Sequence, residues 1–221
     1  MEKSKEKTAK SSLIHRARLL WTLIRLSRNP EKTELVFDLS ELLFKMQAYH
    51  ATTQKLSTEE TFKELALSRK LMPEINLKNL AKLPEGSLGQ TYAKHMLDRG
   101  LSPDFYRSVN VVNDTTWSMM WFRQTHDLWH VATGFDTDAP SEIGLQAFTM
   151  ALMLTPLSAL IVGISLLKAV IVNPSKLGEV INNVVRGVTL GQQAGAVFAY
   201  KWDENWNKPL VEVRRELGLS L

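Results

Sequence analysis

The sequence predicts an all-α fold, a single-domain helical bundle. Apolar residues recur at i, i+3, i+4 and i+7 in one segment after another, no long stretch alternates with period two, and Pro, Gly and capping residues cut the chain into pieces of helical length. The chain has 221 residues, 44% hydrophobic and 23% charged, enough apolar surface for one real core and too much for global disorder.

In order, Ser11 or Ser12 could cap a first helix running to about Arg28, where Leu13, Leu20, Trp21, Ile24 and Leu26 alternate with arginines and Asn29-Pro30 stops the run. Leu35, Val36, Leu39, Leu42, Leu43 and Met46 mark an amphipathic helix over about 31–49. Ser57-Thr58-Glu59-Glu60 reads as a capping-box start for a helix to about Lys70. Residues 71–88, with Pro73, Pro84 and Gly86, form the longest connection. A helix over about 87–99 then ends at Gly100. A Trp-, Met- and Phe-rich helix spans about 115–133, Gly134–Pro140 is a turn, and two apolar helices follow, about 141–171 and 175–200, separated by Asn173-Pro174. A charged amphipathic segment closes the chain over about 203–217. There is no internal repeat.

Residues 143–167 carry no charge over twenty-five positions, which is long enough to cross a bilayer. Pro156 interrupts the run, and Gln146 and Thr149 make its first half more polar. A transmembrane span, the central helix of a bundle, and a helix lining an apolar cavity for a long hydrocarbon are the three readings it admits.

Charge and composition narrow the function. Residues 1–28 hold eight Lys/Arg against Glu2 and Glu6, which leaves the rest of the chain slightly acidic although the whole carries +4. The chain divides accordingly into a basic amphipathic N-terminal helix or arm, 1–29, and a helical domain, 30–221. A terminal basic arm suits an anionic membrane surface, whereas a nucleic-acid binder would spread its basic residues over a folded face; no nucleic-acid partner is expected. The absence of cysteine removes disulfides, thiolate metal sites, iron–sulfur clusters and Cys nucleophiles, and weakly favours a reducing compartment. No secretory signal is visible, because Arg16, Arg18 and Arg25 cut the first apolar run, and two early acids argue against a mitochondrial presequence.

The chemistry concentrates in H-D-L-W-H at 126–130. On a helix His126, Asp127 and His130 fall within about 100° of one another, and two imidazoles at i and i+4 can grip one divalent ion. Asp127 is one methylene shorter than the Glu found between the histidines of metalloproteases, which suits it to a place in or just outside the ligand shell. Eleven residues separate His130 from Glu142; two antiparallel helices joined by the Gly134–Pro140 turn would bring it opposite both histidines. Imidazole with carboxylate suits zinc, iron or manganese, with magnesium and calcium preferring all-oxygen shells. The plain alternatives are a chance His-x-x-x-His, a Glu at a helix start answering the helix dipole, and a His–Asp hydrogen bond in a polar core. Arg123 lies one turn before His126 on nearly the same face; it could pair with a substrate carboxylate or a prenyl phosphate, or be an exposed arginine in a surface ion pair.

These residues resemble the coenzyme Q biosynthesis protein 4 family. H-D-x-x-H followed by eleven residues and Glu matches that family's metal motif, and L-P-E-G-S-L-G-Q-x-Y at 83–92, S-P-D at 102–104 and Y-K-W-D-E-N-W-N-K-P-L-x-x-x-R-R-E-L-G at 200–218 add to it, so the resemblance spans about residues 30–219. The resemblance implies a helical, peripherally membrane-associated protein of ubiquinone assembly. It also implies a divalent ion, zinc first with iron, manganese or magnesium behind it, held by His126, Asp127, His130 and Glu142. The implied role is either oxidative decarboxylation at C1 of a prenylated aromatic head, through those four residues, or a non-catalytic prenyl-lipid-binding scaffold that organises quinone-biosynthesis enzymes. Expected partners are a prenylated quinone precursor or isoprenoid lipid, other quinone-biosynthesis proteins, the membrane surface and a second copy of the chain in a homo-oligomer; the expected location is the cytoplasmic face of a bacterial inner membrane. The apolar segments 143–172 and 177–199 could wall a groove for the isoprenoid tail. A hydrolase of the His-Glu-x-x-His type fits poorly, since its acid would be Asp and its third ligand is missing at the usual spacing.

Overall fold

The computed structural model describes the backbone of residues 2–29 and 32–219, and side chains from residue 13 onward within those ranges. Eleven α-helices and no strand occur among the described residues: α1 (Glu2–Arg28), α2 (Thr33–Lys45), α3 (His50–Leu56), α4 (Glu60–Ser68), α5 (Leu77–Leu80), α6 (Leu88–Asp98), α7 (Asp114–Thr133), α8 (Ala139–Met153), α9 (Pro156–Ile171), α10 (Leu177–Gln193) and α11 (Leu210–Glu216). The all-α expectation therefore stands. The α1 backbone begins at Glu2, ahead of Ser11 and Ser12, whose side chains lie outside the described residues, as does Pro30.

The core forms around α7. Trp117, Trp121, Leu128 and Trp129 are fully buried against Phe62, Phe148 and Phe198. Burying indole requires an outlet for its N–H, and two tryptophans find backbone carbonyls: Trp121 Nε1 donates to Phe198 O (2.7 Å) and Trp117 Nε1 to Lys70 O (2.8 Å). Asn113 starts the helix with a reciprocal capping box through Thr116, and Gly134 (φ 66°) ends it in the left-handed region.

The apolar run is divided. Leu154 (φ 57°) breaks it, Thr155 accepts from Ser158 N (3.3 Å), and Pro156 opens α9 at a position where a missing N–H costs nothing. The predicted continuous helix over 141–171 is thus two helices, and no described helix is long and apolar enough to cross a membrane. α8 packs along α10 rather than along α7. Gly187 rests on the carbonyl of Gly144, and a Cβ on Gly191 would sit 2.5 Å from Phe148 O, so the small residues of α10 serve close helix approach.

The basic helix is half docked. Leu23 and Leu26 of α1 bury against Leu35 and Leu39 of α2, with Leu157 and Ile161 of α9 beside them. The C-terminal segment, predicted as helix to 200 and again over 203–217, instead leaves α10 at Gln193 and buries Val197 and Phe198 in irregular backbone before a short 3₁₀ turn and α11. It then clasps the start of α6: Leu88 N donates to Lys208 O (2.8 Å), Gly89 N to Trp206 O (2.8 Å) and Leu210 N to Gly86 O (2.9 Å). Two of the stretches that carry the family resemblance, 83–92 and 200–218, are one joint.

Candidate metal centre and its cavity

α7 and α8 are joined by Gly134–Asp138 alone, and this short link sets Glu142 beside the last turn of α7. Asp138 caps α8 by accepting from Ser141 N (3.1 Å), which fixes the first turn that carries Glu142. Glu142 Oε1 stands 3.2 Å from His130 Nε2, and one ring nitrogen each of His126 and His130 with one oxygen of Glu142 all lie within 4.8 Å of one another. His130 is fully buried, while the Glu142 side chain is 37% exposed, so the cluster is walled on one side and open on the other.

The ring orientation fits a cation. His130 Nδ1 lies 3.0 Å from Phe135 O, an acceptor only, so Nδ1 carries a hydrogen and Nε2 is the nitrogen that faces the Glu142 carboxylate. Either a proton on Nε2 or a metal ion bridges the 3.2 Å between them. Backbone anchoring of the far ring nitrogen is also how metal-binding histidines are held. Ligand atoms about one ion at roughly 2.1 Å sit about 3–4 Å apart, so the cluster needs little contraction.

Asp127 does not join that group of three. Its Oδ1 accepts from Tyr106 OH (3.0 Å), and the same hydroxyl lies 3.0 Å from His126 Nδ1, which is 3.6 Å from Asp127 Oδ1. Burial raises the carboxyl of Asp127, but His126 and Tyr106 outweigh it and hold the group below the ordinary aspartate range. Burial likewise opposes the charged form of His126, and Asp127 with Glu142 overrides it, raising the imidazole. Glu142 is lowered, because His130 and His126 outweigh its desolvation. Tyr106 is driven well above its usual value by burial and by the Asp127 charge. The sequence did not point to Tyr106: it lies in the irregular stretch after S-P-D, where no periodicity assigns a direction. His95 was also missed. Its ring stacks on His130 with centroids 5.8 Å apart, and burial, aided by Arg99 and His130, pushes its pKa down to about 4.

The cluster opens into a cavity of ≈ 910 Å³. Val36 and Phe37 of α2, Phe105 of the preceding loop, and Leu157, Ile161 and Ile164 of α9 give it a mainly apolar wall. The expected groove between 143–172 and 177–199 is corrected in one respect: α8 and α9 line the space, whereas α10 lies behind α8 and only Phe198 of that stretch reaches it. Arg123 lines the same cavity. It is 6% exposed rather than a surface residue, and among the described residues it makes no ion pair.

The family profile described as coenzyme Q (ubiquinone) biosynthesis protein Coq4 matches residues 10–221, starting inside the basic helix rather than near residue 30. The mitochondrial ubiquinone biosynthesis proteins coq4 of Talaromyces stipitatus and Aspergillus fumigatus are each 27% identical over 87% of this chain, covering 67% and 68% of their own lengths. A crystal structure from Nostoc punctiforme PCC 73102, described in terms of ubiquinone biosynthesis, superposes with a TM-score of 0.84 at 32% identity, over 93% of this chain and 99% of that one.

Proposed function

Because the chain belongs to the coenzyme Q (ubiquinone) biosynthesis protein Coq4 family, we propose that it serves ubiquinone biosynthesis as a divalent-metal-dependent enzyme of the prenylated aromatic head group, replacing the C1 carboxylate by a hydroxyl. The observation that carries the reading is the convergence of ligand atoms of His126, His130 and Glu142 within 4.8 Å of one another, at the wall of a mainly apolar cavity large enough for a hydrocarbon tail.

His126, His130 and Glu142 would hold the ion, with Asp127 and Tyr106 fixing His126 from behind. A divalent ion with an open position supplies Lewis acidity toward a carboxylate or phenolate oxygen. The chain supplies the rest. The α2 and α9 side chains take the tail out of water, and Phe105 and Tyr106 close the cavity near the reacting head. Loss of carbon dioxide with gain of a hydroxyl is a two-electron oxidation of the ring carbon, so the reading requires an external oxidant, dioxygen by class. Zinc is the first choice for N₂O ligands, with iron, manganese and magnesium as the others.

One observation favours the scaffold reading. The phenol at the cluster, Tyr106, is committed to His126 and Asp127, and so is not free to act on a substrate. A lipid-binding organiser of quinone-biosynthesis enzymes, acting as a homo-oligomer at a membrane surface, would need only the cavity and the ion as a structural clasp.

Metal analysis and lipid mass spectrometry on untreated protein, followed by turnover of a prenylated aromatic acid, test the choice. The enzyme reading expects about one ion per chain, carbon dioxide release, and loss of both in His130→Ala. Full metallation with copurified isoprenoid and no turnover under oxygen selects the scaffold.

A further inference from the structure

Among the described residues, Arg123 is a cation without a counter-ion. Its Nη1 donates to the carbonyl of Arg107 (2.6 Å), and its guanidinium carbon stands 4.8 Å from the centre of the Phe37 ring. Its Nη2 is buried and has no hydrogen-bond partner. Glu41, the carboxylate whose charge favours it, is already taken by Arg107 at 3.0 Å, and the Arg107 cation adds repulsion. A buried charge of this kind is costly unless something answers it. An aromatic face offsets only part of that cost.

The cavity is where an answer can come from. Arg123 lines it together with His126 and His130, and the three occupy positions i, i+3 and i+7 on one face of α7. Arg123 therefore stands roughly 5 Å along the axis from His126 and roughly 10 Å from His130. Ser40 and Tyr49, whose hydroxyls are 3.3 Å apart, line the cavity as well. On the α7 face of a mainly apolar cavity there are thus two stations for charge, the ligand cluster and a bare guanidinium nitrogen, with Lys168 of α9 a further cation in the lining.

We propose that Arg123 is the second anchor of the bound head group: it pairs through Nη2 with an anionic oxygen of an apolar-tailed ligand whose other oxygen function reaches the His126–His130–Glu142 cluster. This rests on the proposed function and narrows its substrate class to heads with two oxygen functions on opposite sides, at least one of them acidic. A tail ending in a single neutral hydroxyl would leave the guanidinium unanswered and bind less well. Guanidinium with carboxylate or phosphate gives strong charge-assisted hydrogen bonds, so the anion can be the carboxylate or phenolate of an aromatic acid or the phosphate of a prenyl monophosphate.

The test compares three probes of equal tail length, a prenylated hydroxybenzoate, a prenyl monophosphate and a prenyl alcohol, binding to the full chain by calorimetry. Wild-type protein is expected to bind one or both anions at least tenfold more tightly than the alcohol. Arg123→Met should abolish that advantage and leave alcohol affinity unchanged. Arg123→Lys, which keeps charge at lower geometric fit, should retain part of it and carries the test if the Met variant fails to fold. An advantage confined to the monophosphate supports the anchor with a prenyl phosphate as its ligand; one confined to the aromatic acid supports it with the quinone head. Equal losses for acid, phosphate and alcohol in both variants would show a structural arginine and overturn the proposal, as would wild-type protein with no preference for anions. Metal content, measured on the same samples, separates the two readings: an Arg123-dependent anion preference in protein that binds no ion would sink the metal-dependent reading and leave the anchor standing.

Discussion

The Tyr106 hydroxyl has one proton and two neighbours at 3.0 Å, the Asp127 carboxylate and His126 Nδ1. Asp127, held ionised, accepts the hydroxyl's hydrogen bond, and His126 must then donate from Nδ1 to the phenolic oxygen, which leaves its Nε2 as the nitrogen that turns to the cluster. Tyr106→Phe removes this relay without emptying the site. Metal affinity, measured by competition with a chelator, should fall about 10–100-fold with the fold intact. Asp127→Asn should fall in the same range, because Asp127 works through His126, whereas Glu142→Gln should lose more. An Asp127→Asn loss as large as that of Glu142→Gln would place Asp127 among the ligands. The three clustered residues were legible in the sequence, since helical periodicity aligns His126 with His130 and a short link limits where Glu142 can go. Tyr106 and the burial of Arg123 were not, because Phe37, which covers the guanidinium, arrives from α2 by tertiary packing alone.

Helix ends and helix contacts show where local signals were overridden. Ser57-Thr58-Glu59-Glu60 reads as a capping box, yet Ser57 Oγ donates to Gln54 O (2.8 Å) and Thr58 Oγ1 to Lys55 O (2.7 Å), both closing α3, a helix that the apolar periodicity did not reveal. Glu59 is left at the N-cap of α4 with no side-chain bond to the helix, and burial, opposed by Lys55, raises its carboxyl. A raised carboxyl costs stability as pH climbs through its unfolded value and beyond. Glu59→Ser should therefore raise Tm through a new cap, worth about 1 kcal/mol, and the gain should be larger at pH 7 than at pH 4. An equal gain at both pH values would mean that the carboxylate is not strained. On α10, Gly187→Ala would drive a Cβ into the Gly144 carbonyl, with Phe148 N at 2.9 Å and Ala147 Cβ at 3.0 Å. The helices must part, at about 1–3 kcal/mol, and α8 would carry Glu142 with it. Thermal unfolding and metal affinity should both drop. Unchanged metal affinity in a destabilised variant would show that the first turn of α8 is held by its cap and not by α10.

At the scale of the whole molecule, helical class and element order follow from periodicity and punctuation, while the cavity does not, because its wall is gathered from α1, α2, α3, α7, α8, α9 and the loop at 100–106. That assembly bears on where a tailed ligand enters. Leu26 and Ser27 of α1 line the cavity, and the same helix turns Leu13, Leu20 and Trp21 to solvent, with Trp21 60% exposed and the Arg25 guanidinium 4.6 Å above its ring. Apolar and aromatic side chains interleaved with arginines suit the interface of an anionic bilayer, where each cation contributes about 1 kcal/mol at low salt. A tail leaving the bilayer beside α1 would then reach the apolar wall with little exposure to water. Cosedimentation with vesicles of mixed neutral and anionic lipid should show binding that weakens several-fold between low and physiological salt, and that falls further in Trp21→Ser combined with Arg25→Gln. Neutral vesicles should bind much less. If anionic vesicles fail to retain the full chain even at low salt, or if the double variant binds as the native chain does, α1 does not provide the docking face, and the tail must enter by another side of the cavity.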